Sequence, residues 1–222
     1  MEISRRNAII TGAAVLAAGG FAGAFLLNGR SGEVAAAAAE SVPIADLMQA
    51  GPLGDQVLGS EKAPVTIVEY ASMTCPHCAN FAVNVLPKIK ERYIDTGKVR
   101  FVFREFPFDP VATGAFMLAR CADKDKYFPM IEILFQQQNK WAVREPMEPL
   151  LSIAKQVGFT ESTFKECLAN QKVLDGIEWV RNRAADKFKV NATPTFFING
   201  VMFRGEMTLD QMDKALEPLL KA

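Results

Sequence analysis

Apolar runs mark four strands in this chain, and helical spacing fills most of what lies between them. Val65 to Ala71 is rich in β-branched residues and bounded by Pro64 and Ser72, which predicts a first strand. From Pro76 to Asp95 apolar residues recur at near-helical spacing at Phe81, Val85, Ile89 and Ile94. Pro87 inside that run predicts a kink, and Gly97 a stop. Val99 to Phe106 predicts a second strand, so strand, helix and strand have the length of a right-handed parallel unit whose sheet needs cover on both faces. Asp109-Pro110 then reads as an N-cap followed by proline at the first helical position. From there to Lys189 the pattern is almost wholly helical, with helices expected near Pro110 to Ala122, Lys126 to Gln138, Met147 to Val157, Glu161 to Asn170 and Val173 to Phe188. Thr195 to Ile198 and Val201 to Arg204 flank Asn199-Gly200, a strong hairpin signal, and a final helix starts at Thr208 with Gln211 completing a capping box and runs to about Leu220. The predicted order is βαβ, helical insertion, ββα, an α/β chain.

Ahead of this pattern the character changes twice. Residues 40–62, with Pro43, Gly51, Pro52, Gly54 and Gly59, read as a linker and entry segment with a short helical turn at Ala45 to Gln49. Residues 1–39 read as an export signal or an N-terminal anchor: Arg5-Arg6, an uncharged stretch from Ala8 to Leu27 long enough to span a bilayer, and an alanine run from Ala35 to Ala39. Cleavage in that run would release a mature chain near Glu40, whereas residues 8–27 left in place would tether it. Ser4-Arg5-Arg6 and the glycine-rich stretch also resemble a twin-arginine signal, so either export route fits. Both outcomes place the folded part in an oxidising compartment, the periplasm of a bacterium.

Composition narrows the chemistry. Lys plus Arg and Asp plus Glu balance at 25 each among 222 residues, which gives no field for nucleic acid. Four cysteines accompany one histidine, and that histidine is His77, inside Cys75-Pro76-His77-Cys78. Ser-His-Asp triads and His-rich metal sites need histidines that this chain lacks. The Cys-x-x-Cys pair follows a strand and opens a helix, where unpaired backbone N–H groups favour a thiolate at Cys75. Thiol-disulfide exchange is therefore the leading chemistry. A metal held by the Cys75, His77 and Cys78 loop is the alternative from another class, with only three ligands to offer.

Val68-Glu69-Tyr70-Ala71-Ser72, the Cys75-Pro76-His77-Cys78 motif, the helical block, and Val190-Asn191-Ala192-Thr193-Pro194-Thr195-Phe196-Phe197-Ile198-Asn199-Gly200 together resemble a bacterial DsbA-like thiol-disulfide oxidoreductase over roughly residues 60 to 220. The resemblance implies a thioredoxin fold over residues 63–222, with a large helical insertion at about 107–189. It implies an exported dithiol oxidase, without cofactor and monomeric, whose Cys75–Cys78 disulfide passes to reduced, unfolded exported proteins and is restored by a DsbB-like, quinone-linked membrane oxidase. Disulfide isomerase or reductase activity is the alternative direction, since Thr193 before the proline is shared with isomerases of the DsbC type. In these terms Cys75 is the exposed nucleophile, Cys78 its buried partner, and His77 a donor of charge or a hydrogen bond to the Cys75 anion. Thr193-Pro194 is the cis-proline loop that pairs with a substrate strand, and Glu69 is a buried acid that relays a proton to Cys78. Cys121 and Cys167 either close a structural disulfide, worth roughly 2 to 4 kcal/mol, or stay as buried thiols.

Four further expectations concern residues outside the motif. Arg104 is expected to face solvent. Arg181, Arg183, Lys187 and Lys189 read as a solvated helix end. Trp141 lies in a predicted loop, where it either lines a substrate groove or packs. The runs Tyr127-Phe128-Pro129 and Phe101-Val102-Phe103 read as core.

Overall fold

The computed structural model describes residues 40–221, so the signal or anchor read in residues 1–39 lies outside the described residues. A five-stranded mixed sheet has the order β1-β3-β2-β4-β5, with β1 at Gln56–Leu58, β2 at Val65–Ala71, β3 at Val99–Glu105, β4 at Thr195–Ile198 and β5 at Val201–Arg204. Strands β2 and β3 are parallel in the register Val68↔Val102, and the other pairs are antiparallel. The expected βαβ, insertion, ββα order is present. Strand β1 is additional to it, and it sits inside the segment read as linker. Its three residues are half-buried at the sheet edge, too short a run to show a period of two in the sequence.

Alternation along β2 sorts its side chains between two cores. Val65, Ile67 and Ala71 pack with Phe101, Phe103, Phe196 and Ile198 on one face, and Val68 and Tyr70 pack with Val102, Phe197 and Met202 on the other. Glu69 shares the period of Ile67 and Ala71, which puts it on the face that carries the helix after Cys75. That helical run comprises α2 (Pro76–Asn80), a π segment at Phe81–Val85, α3 (Leu86–Ile89) and a second π segment at Lys90–Ile94. The kink expected at Pro87 is taken up here as a change of register. A proline has no N–H for the ordinary ladder, and the wider π turn before it accommodates the lost bond.

The second face is covered by α1 (Ile44–Leu47) and by α9 (Gln171–Phe188), through Leu47, Val180, Ala184 and Phe188. The insertion contributes α4 (Pro110–Cys121), α5 (Tyr127–Gln136), α6 (Gln138–Trp141), α7 (Met147–Gln156) and α8 (Glu161–Leu168) to the first face, and α10 (Leu209–Leu220) closes the chain. The capping signals hold: the Asp109 carboxylate accepts from the Ala112 N–H at 2.8 Å, and Thr208 and Gln211 form a reciprocal box. Asn199 and Gly200 both have positive φ, 45° and 88°, as a tight hairpin turn requires. A Cβ at Gly200 would lie 2.4 Å from the Val42 carbonyl oxygen, so glycine is needed for space as well.

One surface reading is overturned by a buried ion pair. Arg104, expected in solvent, is buried at 3% exposure. Its guanidinium forks onto Asp55 at 2.9 and 2.8 Å and donates to the Leu47 carbonyl and the Tyr70 hydroxyl, pinning the edge strand and α1. A strand whose two faces are both covered leaves an arginine no route to water, so it finds an acid from the preceding loop. The basic end of α9 is solvated at Lys187 and Lys189, as expected, and half-buried at its two arginines: Arg181 donates to the Pro107 carbonyl over the Phe106 ring, and Arg183 donates to the Asp46 carbonyl over Trp179 and Phe188. Lys187 pairs with Asp46, and Lys189 takes the left-handed C-cap of the helix and donates to the Asp186 carbonyl. Trp141 lines no groove. It is fully buried at the end of α6 and donates its indole N–H to the Leu134 carbonyl at 2.7 Å. Phe101, Val102, Phe103 and Tyr127 are core, as expected, whereas Phe128 is half-buried and Pro129 exposed; Tyr127 joins Arg120 on the buried Glu105 carboxylate, fastening the insertion to the end of β3.

Candidate active site

Strand β2 ends at Ala71, and the turn Ser72 to Thr74 delivers Cys75 to the N-cap of α2 with Pro76 at the first helical position. Two residues of the insertion hold this turn. Gln138 donates to the carbonyls of Met73 (2.8 Å) and Cys75 (3.0 Å), and Thr74 donates its hydroxyl proton to Asp109 at 2.6 Å. Beside Asp109 a cleft of about 670 Å³ opens, lined by Phe108, Met117, Met147, Leu174 and Arg181, with Phe108 and Met147 exposed. Nothing in the sequence announced Gln138 or Asp109 as part of the site, because their partners lie 63 and 35 residues away.

The two sulfurs occupy opposite environments. Cys75 is partly exposed, and its thiol donates to the Thr193 carbonyl at 3.3 Å. The peptide between Thr193 and Pro194 is cis, so Thr193 turns its backbone toward the cysteine pair. Cys78 lies one turn further in, with no exposure at all. Donation from the Cys78 thiol, followed by the Thr193 side chain and the backbone N–H groups of Cys78 and His77, holds the Cys75 thiol down at about 5 against the opposing cost of burial. Burial is also what pushes Cys78 far up, and its neighbour's charge and Glu69 add to it.

Glu69 is buried at 1% exposure beneath the pair, and its Oε1 has no partner among the described residues. Desolvation raises its carboxyl well above the usual range, and the Cys75 charge pushes it the same way. His77 lies in the first turn of α2, two residues after Cys75. The imidazole is largely exposed, and its Nδ1 lies 2.8 Å from Oε2 of Glu206, which also accepts from the Asn80 amide. Glu206, in the loop between β5 and α10, is 129 residues from His77 and carries no sequence signal of its own.

Cys121 and Cys167 are joined in a disulfide, with Cα atoms 6.0 Å apart, that links the end of α4 to the end of α8. Among the described residues no group of three His, Cys, Asp or Glu side chains gathers as a metal site. No helix among them is long and apolar enough to cross a membrane.

Comparison with known proteins places these features in a family. A family model described as Thioredoxin matches residues 53–218. A Rickettsia felis protein, provisionally named a protein-disulfide oxidoreductase, is 37% identical over 169 residues, covering 75% of this chain and 60% of that protein. A Bacillus cereus protein, provisionally named disulfide bond formation protein D, is 32% identical over 176 residues, covering 75% of this chain and 79% of its own. The crystal structure of alpha-DsbA1 from Wolbachia pipientis superposes with a TM-score of 0.73 at 33% identity, over 79% of this chain and 96% of that one. The chain spans only 60–62% of the length of three of its Rickettsia relatives.

Proposed function

The chain belongs to the thioredoxin family, in its DsbA-like branch of thiol-disulfide oxidoreductases, and from that premise we propose that it is an exported dithiol oxidase that passes the Cys75–Cys78 disulfide to reduced exported proteins. The observation that carries this reading is the asymmetry of the two sulfurs: one partly exposed at a helix N-cap beside a cis-proline loop, the other sealed one turn below it.

The exchange runs in two displacements. A substrate thiolate attacks the Cys75 sulfur of the oxidised pair; a substrate–Cys75 disulfide forms, the Cys75–Cys78 bond breaks, and Cys78 leaves as a thiolate. A thiolate sealed from water is costly, and the carboxyl of Glu69, held protonated by its burial, supplies the proton that makes Cys78 a thiol and regains one from solvent. A second substrate thiolate then attacks its own sulfur in the mixed disulfide. Cys75 departs as the better leaving group because its anion is the stabilised one. Two substrate thiols have become a disulfide, and the Cys75–Cys78 disulfide has become a dithiol.

The cis Thr193-Pro194 peptide supports docking of an extended substrate strand, with the backbone N–H of Thr193 as its partner. Exposed Phe108 and Met147 line the cleft beside Asp109, which holds Thr74 of the active-site turn, and offer apolar surface to an unfolded chain. The leader pattern in residues 1–39 supports export, whether the folded part is released near Glu40 or kept tethered by residues 8–27. A quinone-linked membrane oxidase of the DsbB type would return the dithiol to the disulfide. A Cys78→Ala variant tests the scheme: it should accumulate mixed disulfides between Cys75 and exported proteins. A variant with reactive Cys75 that captures no reduced exported protein would overturn it.

A further inference from the structure

We propose that Glu206 is a positioning residue of the dithiol site, holding the His77 imidazole by Nδ1 and, through it, setting the charge that faces Cys75. The proposal rests on Cys75 being the exchanging sulfur. It begins with an exposed side chain that ought to wander. His77 has 68% of its side chain in solvent, and an unpacked imidazole gains rotamer entropy by leaving any one position. It is held because the groups around it form a directed chain. Asn84 donates its amide N–H to Oδ1 of Asn80 at 2.6 Å, which turns the Asn80 amide nitrogen toward Glu206. A carboxylate can only accept, so Glu206 takes the Asn80 proton on one oxygen, and the ring atom 2.8 Å from the other must be a protonated Nδ1. The neutral form of His77 is thereby fixed as the Nδ1–H tautomer, and Nε2 is left to gain or lose the second proton.

The carboxylate itself is anchored from the opposite loop. Gly205 donates its N–H to the Pro194 carbonyl at 2.9 Å, Met207 is buried, and Thr208 caps α10. One short segment therefore ties the cis-proline loop to the turn that bears Cys75. The charged groups that face the imidazole among the described residues are the Cys75 sulfur from its own turn and Glu206 from the loop after β5. Both raise the proton affinity of His77, with Glu206 the larger cause. Glu206 acts on Cys75 in two opposed ways. Through His77 it keeps an imidazolium near the thiolate, and directly it repels that thiolate. Glu206 lies 2.8 Å from the ring nitrogen and makes no hydrogen bond to Cys75 among the described residues, so the indirect effect is the larger.

The lone histidine makes this measurable, because the full-length reduced protein has a single imidazole to titrate. In Glu206→Gln the His77 resonances should titrate at lower pH and the Cys75 thiolate absorbance at higher pH. The glutathione equilibrium should move by about threefold toward the oxidised pair, the equivalent of about half a pH unit in the sulfur. Asn80→Ala, which frees the carboxylate from its other side, should move both in the same direction by less, and Glu206→Asp should restore part of the change. In a His77→Ala background the same Glu206→Gln change should leave the Cys75 titration unmoved or lower it. An unaltered His77 titration in Glu206→Gln would overturn the proposal, as would an equal rise in Cys75 with and without His77. These titrations do not depend on substrate transfer: coupled shifts without any disulfide donation would sink the proposed function and leave this role of Glu206 standing.

Discussion

The Cys75–Cys78 pair presents one sulfur within reach of solvent and seals the other beneath it, and the chemistry open to each follows from what surrounds it. Cys75 is held down at about 5 against an ordinary value of 9.0. The stability that the folded, reduced chain draws from that thiolate is fully present above the ordinary value and is lost as pH falls through about 5. The oxidised chain has no such thiolate. The stability gap between reduced and oxidised protein should therefore narrow from pH 8 toward pH 4, as followed by urea unfolding of each form; a gap that widens on acidification would contradict the assignment. Glu69 runs the other way. Its raised carboxyl contributes stability below the ordinary value of 4.5 that is lost as pH climbs through the raised one. Glu69→Gln should melt higher than the parent at pH 8, with the difference closing toward pH 4, while reduction of the Cys75–Cys78 disulfide by a dithiol slows. At this scale the motif cysteines were legible from residue type and spacing, and Pro194 only from the family resemblance, since an X-Pro dipeptide alone is usually trans. It could not show Glu206 or Gln138, whose partners are distant in the chain and whose types are common on any surface.

Among the elements, the strands and helices follow their periodicity closely, and the misses have shared causes. Strand β1 is three residues of edge pairing without alternation, and Arg104 beside it is buried because β1 and α1 cover the place where solvent was expected. Asp55 holds the other end of that pair at 9% side-chain exposure. Asp55→Ala strands a buried guanidinium, and a loss of roughly 3 to 5 kcal/mol in urea unfolding is expected. A loss below about 1 kcal/mol would mean that Arg104 finds water after all. The bond between Cys121 and Cys167 closes a separation of 46 residues between α4 and α8. Replacing both by serine should cost roughly 2 to 4 kcal/mol and leave the Cys75 titration near 5, which separates a brace from a second redox centre. Pairing of two cysteines so far apart is a matter of tertiary approach, so the sequence alone left bonded and free forms open.

In the whole molecule, the sheet places Cys75, Glu69 and Pro194 at one site from β2, its following turn and the approach to β4. The parallel β2–β3 pair and the antiparallel hairpin were both legible as patterns, and their order restricts the topology before any contact is known. The insertion was legible as helix but not as part of the site. Its contacts to Met73, Thr74 and Cys75 exist only once α4 and α6 have docked on the turn. The proposed donation requires that this arrangement stabilise the reduced pair over the disulfide. Equilibration of the full chain with glutathione, with peptide-resolved alkylation to count Cys75 and Cys78 separately from the other two cysteines, tests it most directly. At a glutathione potential of about −200 mV the pair should be predominantly reduced; a pair still oxidised there, and yielding only below about −300 mV as structural disulfides do, would contradict the account.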